Sequence, residues 1–220
     1  MPKKRLLSKP LSDRFNQALV YAHNLHREQP RQGKDIPYIG HLLGVASLVL
    51  ESGGDEDMAI AALLHDAVED QGGRPRLKEI EKLFGARVAH IVWGCTDSDE
   101  VDPSRKPPWC ERKKKYLVHL EQEAGPHVRL VSAADKVYNA RAVLLDHYDI
   151  GDAVFERFSQ GKQGTLWYYR ALVDAFRAAE VRELNPDDAP GRKRLIEELD
   201  RVVRELEHHA GGKGVNPCPD

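Results

Sequence analysis

Two histidines and two aspartates stand in segments that otherwise have the composition of buried helices. His41 lies in I-G-H-L-L-G-V-A, the pair His65-Asp66 in A-A-L-L-H-D-A-V-E-D, and Asp135 in L-V-S-A-A-D-K-V-Y-N. An unpaired carboxylate is costly to bury, so a protein pairs it, neutralises it or binds a metal with it. The four residues therefore predict one divalent cation at the centre of a helical bundle, and a metal-dependent hydrolase is the leading hypothesis.

Helical periodicity covers nearly every segment longer than ten residues. We predict helices over 12–27, 39–50, 55–70, 75–84, 86–94, 109–123, 127–148, 165–182 and 192–209. Ser12 and Asp55 are the expected N-caps of the first and third helices. The polar loop 96–108 is long enough to be either a lid or a disordered flap. Since no pair of strands is predicted, the expected fold class is all-α.

The chain divides into one large domain and a short appendage. We expect a hydrolase domain over 1–184, a linker over 185–191 rich in Asp and Pro, and a charged amphipathic helix over 192–209. The apolar stripe of that helix could dock on the domain or mediate homodimerisation. Residues 210–220 are predicted to be a disordered tail.

Composition and charge narrow the class of protein. With 41% hydrophobic residues among 220, the chain can bury a sizeable core, and its formal net charge of −2 provides no global field toward nucleic acid or membrane. The basic residues 3–5 precede no apolar signal-peptide core, and no apolar run reaches the length of a membrane span. We therefore expect a cytoplasmic protein. Cys95, Cys110 and Cys218 are odd in number and lack C-x-x-C spacing, so a disulfide scaffold is not expected.

Imidazole nitrogens and carboxylate oxygens together suit Mn²⁺, Fe²⁺, Co²⁺ or Zn²⁺. Four protein ligands on an octahedral ion leave positions for water and for a substrate oxygen. Glu69 and Asp70 lie one helical turn beyond the His65-Asp66 pair, where we expect them to act as base and orienter of the attacking water, in either order.

A simpler alternative applies to each residue taken alone. His41 could be an ordinary core histidine, and Asp135 could pair with Lys136 or Arg141. Their clustering on three separate apolar helices favours a metal site.

Three segments resemble a known family in order and spacing. P-Y-I-G-H-L-L-G-V-A (37–46), A-L-L-H-D-A-V-E-D (62–70) and A-D-K-V-Y-N-A-R (134–141) resemble the motifs of the HD-domain phosphohydrolase superfamily. The closest resemblance is to the hydrolase domain of the RelA/SpoT-type alarmone enzymes and to the stand-alone small alarmone hydrolases. It covers residues 15–176 and implies an HD-domain helical bundle that holds Mn²⁺ through His41, His65, Asp66 and Asp135.

The resemblance also implies a reaction and a set of site residues. The reaction is hydrolysis of the 3′-pyrophosphate of ppGpp or pppGpp, the alarmones of the stringent response, to GDP or GTP and pyrophosphate. Glu69 and Asp70 match the catalytic acidic pair of the family. The residues expected to contact the nucleotide are Arg31, Asn139, Lys106, Arg112 and Tyr168.

Two departures from the family pattern fall near the substrate. Gln32 stands where relatives often carry a second basic residue, and Leu42 replaces the usual proline after the first histidine. An HD phosphohydrolase acting on another phosphorylated nucleotide, such as an adenosine analogue or NADPH, therefore remains an alternative. A non-catalytic nucleotide-binding module is the third, and the presence of all six metal and acidic residues disfavours it. The given length leaves no room for a synthetase domain, so we expect hydrolysis only, of a small-molecule nucleotide, with no nucleic-acid or membrane partner.

Overall fold

A computed structural model describes residues 10–100, 102, 104–182 and 191–218. Its α-helices are α1 (Asp13–Leu25), α2 (Ile39–Glu51), α3 (Glu56–Leu64), α4 (Ala67–Asp70), α5 (Gly73–Phe84), α6 (Ala86–Cys95), α7 (Trp109–Val118), α8 (Pro126–Ile150), α9 (Gly161–Arg182) and α10 (Arg192–His209). A π-helical turn (His119–Glu123) follows α7, and a 3-10 helix (Gly151–Arg157) follows α8. Within the described ranges no strand occurs, so the all-α fold is confirmed.

Local capping explains where the first and third helices begin. The side chain of Ser12 accepts a hydrogen bond from the backbone N–H of Arg14, and that of Asp55 accepts one from Met58. Each cap satisfies one of the backbone donors that a helix leaves without a partner at its N-terminus. Both predicted N-caps are therefore confirmed.

Helix α3 is the centre of the bundle. Every residue from Met58 to Leu64 is buried, and the helix packs against α1, α2, α6 and α8. Helix α8 is the longest helix described and also contacts α2, α6, α9 and α10. A side chain on the inner face of α2, α3 or α8 is thus surrounded by apolar groups, and this is where the two histidines and Asp135 lie.

A glycine permits the close approach of α2 and α8. A Cβ atom added at Gly44 would lie 2.0 Å from the ring of Tyr138 on α8. That distance is far inside van der Waals contact, so only a residue without a side chain fits between the two helices here. The approach places the Tyr138 ring beside His41, with ring centroids 5.1 Å apart.

The predicted helix over 55–70 is interrupted, which corrects the sequence-based boundary. Helix α3 ends at Leu64, and α4 begins at Ala67 after a turn at His65 and Asp66. Adjacent residues of a regular helix project about 100° apart. At this turn the two side chains instead converge, with Nε2 of His65 3.0 Å from Oδ2 of Asp66. Hydrophobic periodicity could not reveal the interruption, because the apolar pattern continues through it.

Helix α10 packs within the chain. It contacts α8 and α9, and its apolar stripe is buried (Leu195, Ile196, Leu199, Val202, Val203 and Leu206). The stripe therefore docks on the domain in this structure. A homodimer would have to form through another surface. The predicted linker over 185–191 lies outside the described residues except for Gly191, the N-cap of α10.

The described part of the C-terminus is docked on the domain, whereas the sequence predicts a disordered tail there, and one disulfide links it to the domain without forming a disulfide scaffold. Cys218 forms a disulfide with Cys110 at the start of α7. The backbone N–H of Val215 donates to the side chain of Gln163, and Gly214 lies so close to α9 that an added Cβ would be 2.2 Å from the backbone nitrogen of Trp167. The tail contains almost no apolar residues, so its composition gave no sign of this docking.

Ionic contacts hold the described residues of loop 96–108. Asp97 pairs with Arg112 and Lys113 of α7, and Asp99 pairs with Arg74 of α5. Lys106 reaches Glu69 at 2.9 Å. Among the described residues, no helix combines the length and the hydropathy needed to cross a bilayer.

Candidate active site

The four predicted metal ligands converge from α2, α8 and the turn between α3 and α4. The Nε2 atoms of His41 and His65 are 3.3 Å apart, and Oδ2 of Asp66 lies 3.4 Å from the first and 3.0 Å from the second. Oδ1 of Asp135 lies 3.3 Å from Nε2 of His41 and 3.5 Å from Nε2 of His65. The tightest triangle of donors is His41, His65 and Asp66, and Asp135 closes it from the α8 side.

This donor set fits a single divalent cation. Ligands at right angles around an ion that is about 2.1 Å away lie roughly 3 Å from one another. The ring nitrogen Nδ1 of His65 donates to the carbonyl of Ala62 at 2.8 Å, so Nε2 is the nitrogen that faces the cluster and is available to a metal ion. Within the described residues, Nδ1 of buried His41 has no hydrogen-bond partner. Two nitrogens and two carboxylate oxygens suit a borderline cation better than a purely structural zinc.

Neighbouring side chains fix the two carboxylates. The hydroxyl of Tyr38 donates to Oδ2 of Asp66 at 2.6 Å. The carboxylate of Asp135 accepts from Nζ of Lys136 at 2.6 Å and from the side-chain amide of Asn139 at 2.5 Å. Such partners hold a ligand in one orientation and typically affect metal affinity. The pairing of Asp135 with Lys136 thus accompanies the cluster and does not replace it.

Charge within the cluster strongly perturbs its pKa values. Burial acts to lower the pKa of His65, but the charges of Asp66 and Asp135 raise it well above its usual range. Burial acts in the opposite direction on the two carboxyls, yet the cationic neighbours hold the pKa values of Asp66 and Asp135 well below the usual range. Both carboxyls are therefore ionised at neutral pH, which is the state that binds a cation.

Glu69 and Asp70 line the cavity beside the cluster. Desolvation raises the pKa of Glu69, and the charge of Asp97 adds to the effect, while Lys113 and Lys106 oppose it. Desolvation by the cavity wall and the charge of Asp66 raise the pKa of Asp70. A carboxylate with a raised pKa is a better proton acceptor when ionised, so both groups suit the role of base.

A large cavity opens from the cluster toward α7, α9 and the 3-10 helix. Its volume is about 750 Å³, and its floor includes His41 and Asp66. Six cationic side chains line it (Arg31, Lys34, Arg112, Lys113, Lys136 and Arg157) against four acidic ones (Asp66, Glu69, Asp70 and Asp146). The excess of cations, together with a bound divalent ion, suits a ligand that carries several phosphates.

Two of the predicted substrate residues form a chain that ends at the metal cluster. The guanidinium of Arg31 donates to the amide oxygen of Asn139 at 2.8 Å, and the amide nitrogen of Asn139 donates to Asp135. The same guanidinium lies over the rings of Tyr38 and Tyr138, 5.5 and 5.9 Å from their centroids. Arg31 and Asn139 both line the cavity, within reach of a ligand that touches the cluster.

The other predicted substrate residues have different surroundings. Arg112 lines the cavity, but Nη1 lies 2.8 Å from both carboxylate oxygens of Asp97. Tyr168 also lines it, beneath the ammonium of Lys113 at 5.0 Å, and its buried hydroxyl lacks a hydrogen-bond partner among the described residues. Lys106 binds Glu69 and does not contribute to the cavity wall.

Sequence reasoning missed the roles of several residues that the structure brings to the site. The sequence predicts no individual role for Tyr38 or for Gln29. In the structure, the side chain of Gln29 donates to Asp70 at 2.8 Å. Lys34 and Arg157 flank Asp146 in the cavity wall. An unusual proportion of polar residues in loop 29–38 was the available signal, but a loop has no periodicity from which the direction of a side chain can be predicted.

Comparison with known proteins identifies the class that this fold and cluster define. The family described as HD domain matches residues 18–153, more than half of the chain. The chain therefore belongs to the HD-domain family. Its helical bundle and its His/Asp cluster are those expected of a divalent metal site in that family.

Individual relatives narrow the resemblance. Mouse guanosine-3′,5′-bis(diphosphate) 3′-pyrophosphohydrolase MESH1 is 38% identical over 128 residues, which are 57% of this chain and 66% of that protein. GTP pyrophosphokinase rsh of Brucella melitensis is 36% identical over 130 residues, 59% of this chain and 17% of that protein. This chain thus spans less than two thirds of the length of either relative.

One solved structure extends the similarity beyond these segments. It is described as "A metazoan ortholog of SpoT hydrolyzes ppGpp and plays a role in starvation responses". Its TM-score is 0.69 at 26% identity, and the match covers 90% of this chain and 98% of that one. The resemblance to the alarmone-hydrolase branch of the HD-domain proteins is thereby confirmed.

Proposed function

We propose that this protein is a metal-dependent pyrophosphohydrolase that removes the 3′-pyrophosphate of ppGpp or pppGpp, giving GDP or GTP and pyrophosphate. The observation that carries the proposal is the cluster of His41, His65, Asp66 and Asp135, of which His41 and Asp66 line a cavity that six cationic side chains also line. The similarity to the mouse 3′-pyrophosphohydrolase supports the same chemistry.

The residues divide the work according to their contacts. Bound by the four ligands, Mn²⁺ (with Fe²⁺, Co²⁺ or Zn²⁺ as alternatives) would supply Lewis-acid activation of water and phosphorus. Glu69 or Asp70 accepts the proton of the attacking water, and the other acidic residue orients that water. Their place beside the cluster and their raised pKa values support these roles.

Substrate binding falls to the cationic wall. Arg31 can stack on a base or face a phosphate with its planar guanidinium, and Asn139 lies between Arg31 and the cluster. Arg112 is proposed to meet phosphates, and Tyr168 the ribose or base through its hydroxyl, which has no hydrogen-bond partner among the described residues. Lys106, which the sequence predicts as a phosphate contact, is proposed to act instead through its ion pair with Glu69. We also propose that the protein works in the cytoplasm.

The test is a panel of nucleotides with Mn²⁺, in which pyrophosphate and orthophosphate release are measured separately. We expect rapid pyrophosphate release from ppGpp and pppGpp and little turnover of NADPH or adenosine analogues. Rapid turnover of one of these while ppGpp is untouched would favour a different nucleotide hydrolase, and no turnover at all would favour a non-catalytic binding module.

A matched pair of variants tests the site itself. Asp66→Asn should reduce turnover by at least about a thousandfold, because it removes a ligand charge. Asp174→Asn changes an exposed carboxyl on α9 and should leave turnover unaltered. Unchanged hydrolysis in Asp66→Asn would refute the assignment of the metal site.

A further inference from the structure

His26 is buried beside the active site, although its sequence context indicates only a surface or packing residue. It is 2% exposed, and its ring stacks on that of Tyr38 with centroids 5.2 Å apart. Its Nδ1 atom lies 2.7 Å from Oε1 of Gln29. Because a carboxamide oxygen can only accept, the hydrogen of this bond lies on Nδ1 of His26.

The side-chain amide of Gln29 has its orientation fixed by three partners. Its oxygen accepts from His26 and from the amide nitrogen of Gln71 at 2.7 Å. Its nitrogen donates to Oδ2 of Asp70 at 2.8 Å. Turning the amide over would face donor to donor at Gln71 and oxygen to carboxylate at Asp70. The arrangement is therefore directional and runs from His26 through Gln29 to Asp70.

The backbone of Gln29 is fixed as firmly as its side chain. Its carbonyl accepts from the backbone N–H of Tyr38 at 3.0 Å, and the next residue, Pro30, pairs with Pro37 across the loop. Tyr38 in turn donates to the metal-ligand candidate Asp66. The two ends of one short loop thus hold two different carboxylates of the site.

We propose that Gln29 is a positioning residue for Asp70 and that His26 and Gln71 hold the amide of Gln29 in place. The inference rests on the proposed function, because it takes Asp70 as base or orienter of the attacking water. With Oδ2 held by Gln29, the second oxygen of Asp70 stays available to the cavity in one orientation. A carboxylate free to rotate would spend part of its time turned away from the water.

Kinetics of Gln29→Leu test the positioning role. This variant keeps side-chain bulk and removes both the donor to Asp70 and the acceptor for His26. We expect kcat to fall about ten- to a hundredfold while KM for ppGpp changes less than about twofold. Because Gln29 also lines the cavity, direct contact with the substrate is the competing role. That role would raise KM and leave kcat nearly unchanged, which would overturn the proposal.

Two further comparisons separate positioning from general damage. In an Asp70→Asn background, measured at high enzyme concentration, Gln29→Leu should cause no additional loss, because both changes remove the same contribution. His26→Phe keeps the stacking on Tyr38 and should lower kcat only when Gln29 is present. Glu28→Gln, an exposed change in the same loop, should match the wild type. Additive losses in the double variants would overturn the proposal.

Side-chain NMR of the full chain distinguishes failure of this inference from failure of the proposed function. The amide resonances of Gln29, recorded without nucleotide, should shift in both Asp70→Asn and His26→Phe and stay in place in Glu28→Gln. If the wild type hydrolyses no alarmone but these shifts occur, the proposed function falls and the link from His26 to Asp70 stands. If the amide resonances of Gln29 do not shift in either variant, the link from His26 through Gln29 to Asp70 is refuted, whatever the activity.

Discussion

The Nε2 atoms of His41 and His65 face one another at 3.3 Å in the interior of the bundle. The Nδ1–H of His65 donates to the carbonyl of Ala62, so Nε2 is the ring nitrogen that faces His41. Two imidazole nitrogens and two carboxylate oxygens thus meet in one place, which is an arrangement that can bind a divalent cation.

Binding of Mn²⁺ should therefore stabilise the folded chain through Asp135. At a concentration one hundred times Kd, the cation should add about 2.7 kcal/mol to the free energy of unfolding of the wild type. Asp135→Asn should lose most of this gain in a thermal-unfolding titration with MnCl₂. Asp149→Asn changes an exposed carboxyl of the same helix and should keep the gain. Equal gains in both variants would remove Asp135 from the ligand set.

Tyr38 should contribute to metal affinity without touching the metal. Its hydroxyl holds Oδ2 of Asp66 at 2.6 Å, and loss of such a partner typically weakens binding by about tenfold. Tyr38→Phe should show that decrease in Mn²⁺ affinity by calorimetry. Tyr148→Phe, which removes an exposed hydroxyl bonded to Glu205, serves as the control. An unchanged affinity in Tyr38→Phe would mean that Asp66 is held adequately without it.

Lys106 should set the acid limb of the pH profile. Its ammonium lowers the pKa of Glu69, which desolvation and Asp97 raise. Removing the cation in Lys106→Met raises that pKa further, so the ionised base is lost at a higher pH. The acid limb of kcat should therefore move to higher pH.

The exposed change Lys115→Met is the matched control for this shift. It should leave the acid limb where it is in the wild type. If the acid limb stays in place or moves to lower pH in Lys106→Met, Glu69 is not the catalytic base.

Substitution of two glycines in α2 should have opposite effects on stability. Alanine favours a helix over glycine by about 1 kcal/mol, and a Cβ at Gly40 meets nothing within 4 Å. Gly40→Ala should thus be neutral or stabilising. Gly44→Ala places a methyl group against Tyr138 and should cost about 1–3 kcal/mol. Urea unfolding of both variants measures this, and equal stabilisation would contradict the close approach of α2 and α8.

Reduction of the disulfide should lower the unfolding temperature. Cys110 and Cys218 are 108 residues apart in sequence, and a crosslink across so long a loop contributes about 5 kcal/mol in the chain-entropy description. The wild type should lose several degrees in dithiothreitol. Cys218→Ser should unfold at that lower temperature with or without the reductant. A variant that matches the oxidised wild type would show that the bond adds no stability.

The sequence predicted the parts of the fold that depend on periodicity and local chemistry. The caps at Ser12 and Asp55 and the bounds of α10 follow from capping residues and from an apolar stripe with the helical repeat. The sequence also predicted that His41, His65, Asp66 and Asp135 converge, because charged groups on buried helix faces need a partner or a metal ion. The catalytic and substrate roles remain proposals.

Features formed by irregular backbone could not be predicted in the same way. The turn at His65 and Asp66 interrupts an apolar pattern that does not change, and the tail reaches α7 through one covalent bond in a segment with little apolar surface. Gln29 and Tyr38 act from a loop, where side-chain direction depends on tertiary contacts. The burial of His26 could not be predicted either, because its partners Gln29 and Tyr38 lie in that loop.

The backbone pairing of Pro30 with Pro37 makes the six residues between them, 31–36, a separate loop. Arg31 and Lys34 lie within this loop. Gln29 and Tyr38, which hold the carboxylates of Asp70 and Asp66, lie just outside it. Under the proposed function, we expect exchanges at Lys34 to change which nucleotide binds, while Gln29 and Tyr38 keep the two carboxylates in place. Engineering of selectivity would best begin there.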